Sequence, residues 1–111
     1  NRYYKSLYEI NPNIYLVITR GKKPVIMIYK QIKYIGYVPL IKVKNENGAG
    51  DAFAAMFFLS IASNFSPITT LSLSITLGCI NAMDYKYTNM IDYNKMFELI
   101  YKKITIKKNV K

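Results

Sequence analysis

From Ala52 through Met83 the chain carries no charged residue. Few folds accommodate such a run: it either enters a bilayer or lies inside a core, as an all-round apolar helix does. Its first part, Ala52–Ser63, is short against the roughly 20 residues that a membrane span needs. Asn64, Ser66, Pro67 and several Ser and Thr residues then interrupt it. Ser66-Pro67 has the form of a helix start, a hydroxyl N-cap followed by Pro at the first helical position. Two core helices are therefore expected, one from about residue 48 to Ser63 and one from Ser66-Pro67 to about Met83. A membrane-associated module is the lesser alternative.

The flanks complete the pattern. Tyr4, Leu7 and Tyr8 stand at helical spacing in residues 2–10, and Asn11-Pro12-Asn13 ends that segment. Ile14-Tyr15-Leu16-Val17-Ile18 is a continuous apolar run, expected to form a strand buried on both faces. A turn at 19–24 leads to a second strand at Val25–Tyr29, with further short strands expected at Gln31–Tyr37 and Pro39–Val43. Pro39 suits an edge or a strand start. Asp92 is positioned to cap a third helix running to Lys103, and Lys107–Lys111 is expected to fray. The fold expected is α/β, one domain over 1–111, with a mostly parallel sheet covered by helices. Strands and turn occupy 14–43, and a loop followed by helices occupies 48–104.

The 16 basic residues outnumber the 6 acidic ones, for a net charge of +10. A basic nucleic-acid-binding module is one reading of that charge. All but two of the basic residues (Arg2, Arg20) are Lys, and Ile, Asn and Tyr are also abundant. These residues share A/T-rich codons, so compositional drift accounts for the charge. Arg, the residue suited to bidentate base and phosphate contacts, is nearly absent. Neither a nucleic-acid nor a membrane partner is expected. There is no His and a single Cys, Cys79. A Cys/His zinc site, a His-based nucleophile system and an internal disulfide are thereby excluded. Cys79 reads as a small core residue. A reducing compartment and a cytoplasmic location are expected, since the start of the chain lacks the basic-then-apolar form of a leader.

Chemistry concentrates at Asn45-Glu-Asn-Gly-Ala-Gly-Asp-Ala-Phe53. Glycines at the mouth of a helix let backbone N–H groups converge on an anion, and the helix dipole favours negative charge there. Asp51 follows directly, placing a proton acceptor beside that cradle. An anion hole plus a base is what phosphoryl transfer to a hydroxyl requires.

Asn-Gly-Ala-Gly-Asp-Ala-Phe resembles the second signature of the ribokinase-like (PfkB) carbohydrate and nucleoside kinases, usually written Asp-Thr-x-Gly-Ala-Gly-Asp-x-Phe. Val17-Ile18-Thr19-Arg20-Gly21 is similar to the family's strand ending in Thr-x-Gly. Tyr37-Val38-Pro39 and Ile41-Lys42-Val43 resemble the short strands that lead into the signature. Leu77-Gly78-Cys79-Ile80-Asn81-Ala82 resembles the helix that flanks the nucleotide base. The resemblance covers about residues 14–104 and corresponds to the C-terminal third of a family member. It implies Asp51 as catalytic base and Gly48, Ala49 and Gly50 as anion hole. It also implies that Thr19 and Gly21 lie beside the ATP phosphates and ribose, with Asn81 near the adenine pocket. ATP, Mg²⁺ and in some members K⁺ are the implied cofactors. A sugar or nucleoside is the implied substrate, and a dimer the implied state of a full-length protein.

Departures from the signature qualify these implications. Asn45 replaces its leading Asp, Glu46 its Thr, and Asn47 precedes Gly48, while Pro24 stands where Gly is common after Thr-x-Gly. Asn45 lacks the formal charge that the leading Asp lends to the metal-side water shell, and Glu46 restores it if it points inward. An Asn-x-x-Gly-Ala-Gly-Asp signature is similar to pseudouridine-kinase-like branches. Asn1 is not an initiator Met, and the family's N-terminal glycine signature, β lid and central strands have no counterpart in these residues. The segment alone is therefore expected to be a poor kinase with an exposed sheet edge. An inactive remnant, or pseudokinase, is the alternative function.

Overall fold

The computed structural model describes residues 2–45, 47–83 and 90–110. Helix α1 (Arg2–Ile10) is followed by strands β1 (Tyr15–Ile18), β2 (Val25–Tyr29) and β3 (Ile32–Tyr37). Helices α2 (Ala49–Ala62), α3 (Pro67–Met83) and α4 (Met90–Lys103) follow, and β4 (Thr105–Val110) ends the described chain.

The helices lie close to where the sequence puts them. Ser66 caps α3: its Oγ accepts the Thr69 N–H at 3.2 Å and donates to Thr69 Oγ1 at 2.9 Å. Nine residues of α3 are buried, five of the apolar or thiol kind and four with hydroxyls. Two of the buried hydroxyls bond back to their own helix, Ser74 to the Thr70 carbonyl at 2.7 Å and Thr76 to the Ser72 carbonyl at 2.8 Å, and Thr70 donates to the Phe65 carbonyl just before it. Such internal satisfaction lets a Ser/Thr-rich helix enter a core without orphaned polar groups. Among the described residues, no helix is long and apolar enough to cross a membrane.

The sheet corrects the expectation. Its order is β1-β2-β3-β4 and every pairing is antiparallel. The connections leave no alternative for the first three strands: residues 19–24 join β1 to β2, and Lys30-Gln31 alone join β2 to β3. A parallel pair needs a crossover of about a dozen residues or more. Lys30 (φ 49°) and Gln31 (φ 65°) both adopt the left-handed conformation that a two-residue hairpin of matching twist demands. The hydroxyl of Tyr4, on α1, accepts the Gln31 N–H at 3.0 Å and holds the turn.

Three smaller expectations also change. β1 is half-buried along its length rather than enclosed on both faces. Residues 39–43 form no strand, consistent with the missing N–H of Pro39. The Lys-rich tail does not fray: β4 pairs with β3 from Tyr37↔Thr105 to Ile32↔Val110. Ile106 comes to rest opposite Gly36, and the Lys107 ammonium lies 5.5 Å from the Tyr37 ring centre.

One face of the sheet (Val17, Val25, Met27, Tyr34, Ile106) shares a core with Phe57 of α2 and Leu71, Ile75 and Cys79 of α3. Tyr15 stacks on its cross-strand partner Tyr29 with centroids 3.9 Å apart and meets Phe57 edge-on at 5.5 Å. Cys79 is a free, buried core thiol, as read, and burial pushes its pKa up to about 11. Helices α2 and α3 approach closely at Gly78, where an added methyl group would stand 3.4 Å from the Ala49 carbonyl oxygen.

Candidate active site

The turn into α2 is built from three local devices. Asn45 Oδ1 accepts the Asn47 N–H at 2.9 Å, a side-chain turn that bends the chain toward the helix. Gly48 then adopts φ 84°, ψ −8°, a left-handed conformation that glycine takes without steric penalty. Its carbonyl receives the first helical bond from Ala52 N at 2.9 Å. Gly48, the N-cap of α2, makes no side-chain cap bond. The first-turn N–H groups of Ala49, Gly50 and Asp51 lie at the positive end of the helix dipole.

Asp51 is solvent-exposed in that first turn, and α2 holds no other acidic residue there. Space around Gly50 is open, with nothing within 4 Å of where a methyl group would lie. Glu46 lies outside the described residues. The upstream end of the loop is tied to α3, because the Ala82 carbonyl accepts both Lys44 N–H (2.9 Å) and Asn45 N–H (3.1 Å).

A cleft of about 900 Å³ opens beside this turn. Thr19, Gly21, Ala49 and Gly50 all line it, so the turn after β1 and the first turn of α2 share one space. Gly48, Asp51 and Asn81 are not among its lining residues. Asn81 instead faces Gly48, its Oδ1 3.1 Å from the position of an added methyl group. Two participants were not singled out from the sequence. Lys22 lines the cleft beside Gly21; a basic residue next to the Thr-x-Gly turn is its signal in the sequence. The Ala82 carbonyl has no side-chain signal. The remaining walls are largely apolar, including Val17, Leu40, Phe53, Phe57 and Phe58.

Among the described residues no three His, Cys, Asp or Glu side chains come together as a metal site. Asp51 is the sole described carboxylate at the turn, and the Asn45 oxygen is already engaged. These described residues do not by themselves make a resident Mg²⁺ site.

No protein-family model and no curated protein matches the sequence. Solved structures do match. A candidate phosphofructokinase from Staphylococcus aureus superposes with a TM-score of 0.72 at 25% identity over 86% of this chain. Adenosine kinase from Schistosoma mansoni, in complex with 2-fluoroadenosine, gives 0.60 at 26% over 71%. Phosphofructokinase-2 from Escherichia coli gives 0.64 at 17% over 78%, a likeness of fold. Its structural neighbours are ribokinase-like sugar and nucleoside kinases. The chain spans 30%, 25% and 28% of the lengths of these three kinases. The ribokinase-like resemblance therefore covers most of this chain and less than a third of each relative.

Proposed function

We propose that this chain carries the phosphoryl-transfer turn of a ribokinase-like sugar or nucleoside kinase. The observation that carries the reading is the left-handed turn at Gly48 with Asp51 in the first helical turn after it, where Ala49 and Gly50 share a cleft with Thr19, Gly21 and Lys22. In this reading the acceptor hydroxyl gives its proton to the Asp51 carboxylate as its oxygen attacks the γ-phosphorus of ATP. The new O–P bond forms, the bond from the γ-phosphorus to the β,γ-bridging oxygen breaks, and ADP leaves. The N–H groups of residues 48–50 stabilise charge on the phosphoryl oxygens, and Lys22 adds a cation from the opposite wall. Bound with the nucleotide, Mg²⁺ would neutralise the charge of its phosphates. Thr19 and Gly21 bound the phosphate side, and Asn45 is the candidate for the water shell of the metal.

The test uses a polypeptide that joins this segment to the remaining two-thirds of a kinase of the neighbours' length. Asp51→Asn is expected to lower its rate by about 10²- to 10⁴-fold, the usual share of a general base, with ATP binding nearly intact. An unchanged rate removes Asp51 from the role. A panel of ribose, fructose phosphate, adenosine and pseudouridine identifies the acceptor.

A second reading, a catalytically silent remnant, has its own support. Asn45 replaces a charged residue of the signature, and the chain spans under a third of each compared relative. Absence of phosphorylation across the panel in the completed polypeptide would favour it.

A further inference from the structure

Two fixed points on α3 bracket the signature turn. The Ala82 carbonyl holds the amides of Lys44 and Asn45 upstream, and Asn81 stands against Gly48 downstream. A methyl group on Gly48 would come within 3.1 Å of Asn81 Oδ1 and 3.9 Å of its Cγ and Nδ2. Glycine has little intrinsic preference for the left-handed well over the right-handed one. Gly48 makes no side-chain cap bond of its own. The side chain that stands beside its left-handed backbone is the solvent-exposed Asn81 carboxamide. Because α2 and α3 pack closely at Gly78, that contact is referred to a rigid helix pair.

We propose that Asn81 is a positioning residue, whose carboxamide seated against Gly48 fixes the angle at which Ala49 and Gly50 present their N–H groups to the cleft. This rests on the phosphoryl-transfer reading for its purpose but not for its geometry. The Gly48 carbonyl accepts the Ala52 N–H, so protection of that amide reports whether the turn is closed.

Residue-resolved hydrogen exchange on the 111-residue chain tests the assignment. Asn81→Ala is expected to speed exchange at Ala52 on the order of tenfold, the scale of one lost local contact. The Ser63 amide, bonded to Leu59 at the far end of α2, serves as the control and should not change. Asn81→Asp, which keeps the shape, is expected to retain the protection. Exchange at Ala52 within twofold of the original chain after Asn81→Ala would overturn the proposal. So would a uniform rise through α2 and α3, or an equal loss in Asn81→Asp. Titration with inorganic phosphate, read at the amide signals of residues 48–51, separates the two readings. A response in the original chain that weakens several-fold in Asn81→Ala supports both. No response in the original chain counts against the phosphoryl reading, and the exchange data still decide Asn81.

Discussion

Gly36 shows how tightly single positions are set. It lies on β3 opposite Ile106, and a methyl group there would come within 2.5 Å of Ile75 Cδ1 and 3.2 Å of both Ile106 Cδ1 and Leu71 Cδ2. Three side chains from α3 and β4 converge on the space, so the buried Ile75 must move its Cδ1 while Ile106 and Leu71 give by a few tenths of an ångström. Gly36→Ala is expected to destabilise the fold by about 1–3 kcal/mol, the range for overpacking a filled core. Chemical denaturation monitored by circular dichroism measures it, and an unchanged midpoint would show the space to be slack. At this scale the sequence was most readable where backbone chemistry leaves a signature. Gly48 and Gly21 both take positive φ, at 84° and 57°, as turn glycines should. The roles of Gly36 and of the Ala82 carbonyl were not readable, because each depends on residues far away in the chain.

Among the elements, α3 is the one most fully prescribed by its sequence. A hydroxyl cap, Pro67 at the first position and internally bonded Ser and Thr side chains together fix both its start and its burial. Ser66→Ala removes the cap and is expected to cost about 0.5–2 kcal/mol. Ser66→Asp should recover most of this, and a thermal melt of the three proteins distinguishes capping from a general surface effect. The first three strands were located within a residue or two, yet their direction was misjudged. Uninterrupted apolar runs such as Tyr15–Ile18 and Val25–Tyr29 suggested a parallel sheet. The short spacings between them already required hairpins. What obscured this is the Lys30-Gln31 turn, which uses two positive-φ residues without Asn or Gly and leans on the Tyr4 hydroxyl instead. β4 escaped notice for a related reason: its Lys107 and Lys108 look like tail residues until β3 supplies backbone partners.

The molecule as a whole exposes more surface than its mass calls for. Its accessible area is 7405 Å², where a free-standing protein of 12.9 kDa has about 6,300 Å². Leu40 is 95% exposed and Phe58 70%, and both line the apolar cleft beside β1. The 111-residue chain is therefore expected to self-associate, with light scattering giving a mass above 12.9 kDa. Phe58→Glu combined with Leu40→Lys should return it to the monomer mass; a monomeric original chain would contradict the expectation. The two sides of the sheet differ in what they permit. β4 presents exposed Lys107 and Lys108 at its edge, a common guard against further pairing, whereas β1 reads Tyr-Leu-Val-Ile with no charge at all. The sheet thus has a valence of one. It can end a larger sheet but not sit in its middle, and copies that meet through β1 close into a pair instead of growing into a fibre.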